Sequence, residues 1–333
     1  MINIFDTDAF NVTSLTAAIN ILPNNYGKLQ QMNLFPGKSV RTRNICVEER
    51  NGILNLLQTQ APGAPASYED RVKRKMRSFT IPHIPHDDVI LPEEVQGVRA
   101  FGSESELQAI SNVVIDLQSM RNKHAITLEH LRMGALKGEI VDADGSVLYN
   151  LYDEFEITPK TVNFALGTAT TDVKKKCLEV IRHIEDNLHG EIMSDVHCLV
   201  SSEFFDALTS HAKVKEAYER WQEGAALRDD MRSGFRFAGI TFEEYRGRAT
   251  SADGTVHKFI EDGVGHCFPL GTTESFVTYF APADFNETVN TLGQPLYAKQ
   301  SPRKFDRGID VHTQSNPLPL CLRPSILVKL TAA

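Results

Sequence analysis

The chain has 333 residues, of which 41% are hydrophobic and 23% charged, and carries a formal net charge of -8. Those values fit a folded chain of one large or two smaller domains and exclude both a mostly disordered protein and a histone-like coat for nucleic acid. No apolar run approaches the roughly 20 residues needed to cross a bilayer, so no membrane partner is expected.

The opening Met1-Ile2-Asn3-Ile4-Phe5-Asp6 has no basic start before an apolar stretch, so no signal peptide is expected. The five cysteines, Cys46, Cys177, Cys198, Cys267 and Cys321, are widely spaced and form no Cys-x-x-Cys pair. Reduced, mostly buried thiols in a chain that folds in cytoplasm are the expectation.

Residues 1–37 mix short apolar pieces with Asn, Thr, Pro and Gly. They read as an extended arm with a helical turn or two near Ser14 to Asn20, lying on its own domain or on a neighbour. Lys38 to Glu49 reads as a strand, followed by an Asn51-Gly52 turn and a second strand from Ile53 to Gln60. The Ala61-Pro62-Gly63-Ala64-Pro65-Ala66 stretch then breaks the pattern. Arg71 to Ile81 is a third strand, with Arg71, Lys73, Lys75 and Arg77 on one face and Val72, Arg74, Met76 and Thr80 on the other. Such a ribbon has too little apolar surface to form a core alone.

Glu104 to about Lys137 carries Leu107, Ile110, Val114, Leu117, Met120, His124, Leu128, Leu131 and Ala135 at spacings of three and four. That stripe predicts one helix of roughly 50 Å, capped by Ser103 and ended at Lys137-Gly138. A coiled coil is the competing reading, but no second segment matches its length. A hairpin follows, Glu139 to Val141 and Val147 to Tyr152, around Asp142-Ala143-Asp144-Gly145. The Asp-x-Asp-Gly run lacks the other ligands of a calcium loop and reads as a turn.

Further on, Asp172 to Leu188 is an amphipathic helix and Val196 to Val200 a buried strand. Two helices run from Ser202 to Ser210 and from Ala212 to Glu223. Phe235, Phe237, Ile240 and Phe242 mark paired strands broken at Ala238-Gly239. Asp253-Gly254 and Asp262-Gly263 mark turns, and Gly308 to Leu330 is strand-like with Pro317, Pro319 and Pro324 restricting it. The expected fold is mixed α/β (α+β) with two centres. One is a module at 158–285; the other joins the long helix and its hairpin to the C-terminal strands.

Several motifs, in order, resemble the lambda-type family of tailed-phage major capsid proteins over roughly residues 38–330. They are Glu94-Val95-Gln96-Gly97-Val98-Arg99-Ala100-Phe101-Gly102 before the long helix, Leu136-Lys137-Gly138, Phe237-Ala238-Gly239-Ile240 and Phe268-Pro269-Leu270-Gly271. Ala281-Pro282-Ala283-Asp284-Phe285, Asn290-Thr291, Lys299 and Asn316-Pro317-Leu318-Pro319 complete the set.

The resemblance implies the Hong Kong ninety-seven type capsid fold. Residues 1–37 would be the N-terminal arm, 38–102 the extended loop and lead into the spine helix, and 103–157 the peripheral domain with spine helix and hairpin. Residues 158–285 would be the axial domain and 286–333 a return to the peripheral domain. It also implies self-assembly as hexamers and pentamers into an icosahedral shell around double-stranded DNA held without sequence-specific binding. The implied partners are a scaffolding protein, a portal protein and, as an optional addition, a decoration or cement protein. The location would be the virion capsid, assembled in the host bacterial cytoplasm.

No catalytic, cofactor or metal site is expected. His83-Ile84-Pro85-His86-Asp87-Asp88 looks most like a metal site, but a strand would send the two histidines to opposite faces and no fourth ligand is evident. His124 and His130 are six apart on the long helix, and His124 lies in its apolar stripe as a core histidine. Trp221 sits at helical spacing from Tyr218 and Val214, which reads as packing. No Gly-x-Ser-x-Gly, phosphate loop or Gly-x-Gly-x-x-Gly occurs.

The basic residues Arg71, Lys73, Arg74, Lys75 and Arg77 are read as a subunit-interface surface of the extended loop rather than a nucleic-acid platform. Asp153, Glu154 and Glu156 of an adjacent subunit are the candidate acidic counterpart. Two other classes compete: a nanocompartment shell protein of the same fold, and an α/β enzyme with an unrecognised site.

Overall fold

The computed structural model describes residues 16, 27–50, 74–91, 105–221, 234–251 and 254–333, with side chains omitted at 49–50, 74, 105–116, 218–221 and 306. The expected strand at 53–60, the Pro-rich break after it, the Ser103 cap and the packing of Trp221 lie outside what is described.

Three β-sheets and one long helix carry the architecture. The largest sheet has six strands in the order β7 (Lys160–Asn163), β18 (Val328–Thr331), β13 (Val264–Leu270), β8 (Asp195–Val200), β10 (Ile240–Glu244) and β9 (Phe235–Phe237). Its central strands are covered on both faces: Val196 to Val200 and Val264 to Pro269 are buried throughout, His197 and His266 included. The Val173–Asn187 helix begins on an Asp172 side chain that accepts from the Lys175 N–H, and it buries Val173, Cys177, Val180 and Ile184. The Ser202–Ser210 helix starts the same way on Ser201 and buries Phe204, Phe205 and Leu208. Phe164, Phe204 and Phe242 meet edge-on and stacked in the core between them. The β9–β10 hairpin turns through Ala238 and Gly239, both at positive φ (48° and 87°), as a two-residue connection requires.

A second sheet joins β1 (Gly37–Ser39), β14 (Phe276–Phe280) and β17 (Pro317–Cys321). A third joins β15 (Tyr297–Pro302), β16 (Ile309–Ser315) and β4 (Ile84–Ile90). The long helix, Ser105–Lys137, packs across both. Leu117, Met120 and His124 lie on its buried face as the stripe predicts. Towards its C-terminal end Glu129 and Leu131 to Leu136 are all buried, so the single stripe gives way to burial on every side. Gly138 ends the helix at φ 86°; a Cβ there would fall on the Tyr152 ring.

Sequence and structure differ at four places. The strand expected over 38–49 is two pieces, β1 and β2 (Asn44–Arg50), in different sheets, because β1 runs parallel to β14 while β2 pairs with a later strand. The hairpin strand expected to run to Tyr152 is β6 (Val147–Asn150), paired with β5 (Glu139–Val141). The Asn150 side chain accepts from the Tyr152 and Asp153 N–H groups and starts a helical turn, Leu151–Glu154. Strand pairing also crosses the boundaries drawn between segments. β14, placed with 158–285, pairs with β1 and β17, while β18, placed with the 286–333 return, closes between β7 and β13 in the six-stranded sheet. Finally, the two centres divide elsewhere than expected: one buried cluster runs from the six-stranded sheet through β14, β17 and the C-terminal end of the long helix, while Leu117 and Met120 of the helix and Ile90, Tyr297, Ala298 and Val311 of the third sheet lie outside it.

Candidate assembly surface

β2 and β3 (Arg74–Thr80) form a two-stranded antiparallel ribbon, in register from Asn44↔Thr80 to Arg50↔Arg74. Alternation puts Lys75, Arg77 and Phe79 on one face of β3 and Met76 and Ser78 on the other. Of these, Met76 is 68% exposed and Phe79 is 0% exposed. The odd-numbered face turns inward because Phe79 has the apolar area and the flanking cations can lay their stems over it.

The inward face docks on the β5–β6 hairpin and the helical turn after it. Phe79 meets Tyr149 edge-on at 5.3 Å and stacks on Phe155 at 6.4 Å. The Tyr149 hydroxyl accepts from the Thr80 N–H (2.8 Å) and donates to the Thr80 carbonyl (2.9 Å). Arg77 lies over the Phe155 ring at 4.8 Å, and its Nε–H donates to the Glu154 carbonyl at 2.5 Å. Lys75 Nζ pairs with Glu156 Oε2 at 2.8 Å, and that hydrogen bond holds the Glu156 carboxyl below its usual range.

The predicted basic and acidic groups therefore meet, and within one chain. Glu154 takes part through its carbonyl rather than its carboxylate, and no described contact joins Asp153 to the ribbon. Arg71 and Lys73 lie outside the described residues, as does the side chain of Arg74. Sequence reasoning missed Phe79, Tyr149 and Phe155 as the aromatic seat. The available signal was Phe79 itself, in step with the odd-numbered cations.

Other expected residues hold structural posts. His83 Nδ1 meets Asn316 Oδ1 at 3.0 Å, whereas His86 Nε2 faces Lys123 Nζ at 3.0 Å, so the two histidines have different partners. His124 has one ring nitrogen on Ser315 Oγ (2.8 Å) and the other on Thr313 Oγ1 (3.0 Å). Burial, with His86 and His312 nearby, pushes its pKa down to about 4. His130 lies on another face, against His257 and Phe259. The Asp142 and Asp144 carboxylates accept from Ala143 and Ser146 within their own turn.

The arm's end was not foreseen as a junction. The Leu29 N–H donates to the buried Glu129 of the long helix (2.8 Å), Lys28 pairs with Glu243 of β10 (2.6 Å), and Arg132 hydrogen-bonds Gln30. Burial raises the Glu129 pKa against these bonds. At Glu243 burial acts the same way, but hydrogen bonds from His197 and Lys28 outweigh it and hold the carboxyl low. The Thr16 hydroxyl bonds to the backbone of Ala298, so this point of the arm also lies on its own chain.

The model of the phage major capsid protein E family matches residues 11–332. The major capsid protein of Salmonella phage Felix O1 is 30% identical, with 97% of this chain and 96% of that protein covered. The major capsid protein of Pseudomonas phage KPP10 is 31% identical, with 97% of each covered. Among solved structures, the putative capsid protein of a prophage of E. coli CFT073 superposes with a TM-score of 0.59 at 16% identity, covering 97% of this chain and 99% of that one. The mature capsid of bacteriophage PhiM1 gives 0.54 at 13% identity, covering 93% and 88%. These two share the fold alone, the mixed α/β Hong Kong ninety-seven type. With a near full-length match to its model, the chain belongs to the phage major capsid protein E family, whose members are structural proteins and not enzymes.

Proposed function

We propose that the chain is the shell subunit of a tailed-phage head, assembling with itself as hexamers and pentamers into an icosahedral capsid around double-stranded DNA. The observation that carries this reading is the ribbon. Among the described residues β2–β3 has no third strand, Met76 stands in solvent, and the ribbon is seated on its own body through one face alone. An element so poorly covered by its own chain gains its remaining burial from a neighbour in a lattice. Arg71, Lys73 and Arg74, beyond the seat at Lys75 and Arg77, then belong to the subunit interface. The net charge of -8 suits a wall that packaged DNA slides past rather than sticks to.

A scaffolding protein, a portal protein and optionally a decoration protein complete this reading, with assembly in the host bacterial cytoplasm. The arm supports the need for a separate scaffold. Its end, Lys28 to Phe35, is committed to the body through Leu29, Leu34 and Phe35, and Pro23 and Pro36 interrupt any heptad. Electron microscopy of the chain expressed with the products of its neighbouring genes tests the reading. DNA-filled or precursor shells are expected; small soluble oligomers alone would overturn it.

A further inference from the structure

Three cysteines gather around the six-stranded sheet. Cys198 of β8 and Cys267 of β13 stand directly opposite each other, both buried. Cys177 is buried on the Val173–Asn187 helix, and burial first, then the nearby Cys267, raises its thiol pKa. All three are free thiols. The ladder decides which two can react with each other. The Ser201 N–H donates to the Val264 carbonyl, so these two are a hydrogen-bonded pair of the β8–β13 ladder. Hydrogen-bonded and non-hydrogen-bonded pairs alternate along antiparallel strands, which makes Cys198 and Cys267, three steps on, a non-hydrogen-bonded pair. Pro269, opposite Val196 two steps further, agrees: a residue without an N–H fits there and would break the ladder one step to either side.

A non-hydrogen-bonded pair brings its Cα atoms to about 4.5 Å with both side chains on one face. A disulfide needs Cα atoms about 4.4–6.8 Å apart. The two side chains are already in hydrogen-bonding contact. Gly265 adds room beside them. Its backbone is not left-handed, so conformation does not call for glycine. A Cβ there would lie 2.7 Å from Val200 Cγ1 and 3.3 Å from Cys198 Sγ, so the absent side chain leaves that sulfur space to turn.

We propose that Cys198 and Cys267 are an oxidation site, a dithiol that hydrogen peroxide closes to a cross-strand disulfide. One sulfur, its proton lost, attacks a peroxide oxygen. The S–O bond forms, the O–O bond breaks, and the departing hydroxide takes up a proton and leaves as water. The second sulfur, its proton also lost, attacks the sulfenic sulfur; the S–S bond forms, the S–O bond breaks and a second water leaves. Two thiols lose two electrons in all, and one peroxide becomes two waters. A small uncharged oxidant is required because both sulfurs are buried. Burial, with Cys198 beside it, holds the Cys267 thiol well above its ordinary pKa, so closure is slow and the chain folds with both thiols free. The chemistry belongs to the subunit and does not depend on the shell reading, which adds only the occasion, release into an oxidising medium. The bond would join residues roughly seventy apart in the chain, a restraint on the unfolded state.

Peptide mapping of the folded full-length chain tests it, after prolonged exposure to hydrogen peroxide and alkylation of the remaining thiols under denaturing conditions. Tryptic cleavage at Lys176, Arg182, Lys213, Lys258 and Lys299 puts Cys177, Cys198 and Cys267 on three different peptides. A linked pair of the peptides 183–213 and 259–299 is expected, two hydrogens lighter than their sum and lost on reduction. The exposed Cys46 reports that oxidant was delivered. Cys198 and Cys267 both alkylated while Cys46 is oxidised would overturn the proposal, as would links that run to Cys177 instead. Cys177→Ala should form the same linked pair as wild type; its loss in that variant, with circular dichroism unchanged, would overturn the assignment of the pair. The linked chain should unfold several degrees above the reduced chain and return to the lower midpoint with a reductant. An unchanged or lower midpoint would show that the ladder does not fit the bond.

Discussion

The six-stranded sheet and the β2–β3 ribbon come from one chain and are stabilised by opposite means. In the sheet, β8 and β13 are covered on both faces, and Phe164, Phe204 and Phe242 fill the space beneath the helices. The ribbon has one aromatic anchor, Phe79, and one covered face; its other face carries Met76 into solvent. The sheet would fold the same way in an isolated subunit. The described ribbon is seated on its own chain through one face, and on the proposed reading its other face is left for a neighbour to cover. A shell protein needs both kinds of element: a body that does not change and an extension whose free energy is completed by assembly.

The sharpest way to break that contrast is to truncate one anchor in each region. Phe242→Ala removes a ring from the closed core and should destabilise the unassembled subunit by about 3–5 kcal/mol in denaturant titrations. Met76→Ala should change the same titration by no more than about 0.5 kcal/mol, because its side chain has little contact to lose. Comparable losses from both would erase the distinction. Phe79→Ala sharpens it further. A loss of about 3 kcal/mol is expected, and it should be local: amide exchange should rise over 44–50 and 74–80 while β8 keeps its protection. Exchange rising equally in β8 would mean that the ribbon and sheet unfold together.

A smaller effect comes from His124, which ties the long helix to β16. Its folded pKa is pushed down to about 4 from 6.5, so the fold favours the neutral ring. The unfolded chain then binds more protons between those two values. Stability is full above about pH 6.5, falls as pH drops towards 4, and levels off below that, by at most on the order of 3 kcal/mol. Buried His266, pushed down to about 3, acts in the same direction and extends the slope. His124→Gln should flatten the upper part of this profile; an unchanged slope would show that the ring does not titrate as placed. The smallest effect belongs to the exposed Lys75–Glu156 pair. Glu156→Gln should leave the unfolding midpoint where it was. The depressed Glu156 carboxyl makes what the pair contributes present above the usual carboxylate range and lost as pH falls through it.

What was legible in the sequence followed from local rules. The long helix, its Gly138 stop, the Asp172-capped helix and the Ala238-Gly239 turn each depend on spacing or a single backbone preference within a few residues. The Asn150 cap was also local, but the apolar alternation through Tyr152 hid it. What could not be read was non-local. Nothing near Val328 says that it will lie between β7 and β13, and nothing near Gly37 says that β1 will run parallel to β14. The ribbon shows the intermediate case. Its charge complementarity to the segment at 153–156 was visible, but which face would turn inward was not read, because one phenylalanine among five cations gave little signal. The junction of Lys28, Glu129 and Glu243 was invisible for the same reason as the sheet order: its members lie a hundred residues or more apart.

The account turns on the claim that the ribbon's burial is completed by a neighbouring copy. Hydrogen exchange on unassembled subunits and on assembled particles measures it directly. Protection at 44–50 and 74–80 should rise strongly on assembly, while Asp195 to Val200 and Val264 to Leu270 should be protected equally in both. A ribbon equally protected in the two states, or a gain spread evenly across the chain, would contradict it.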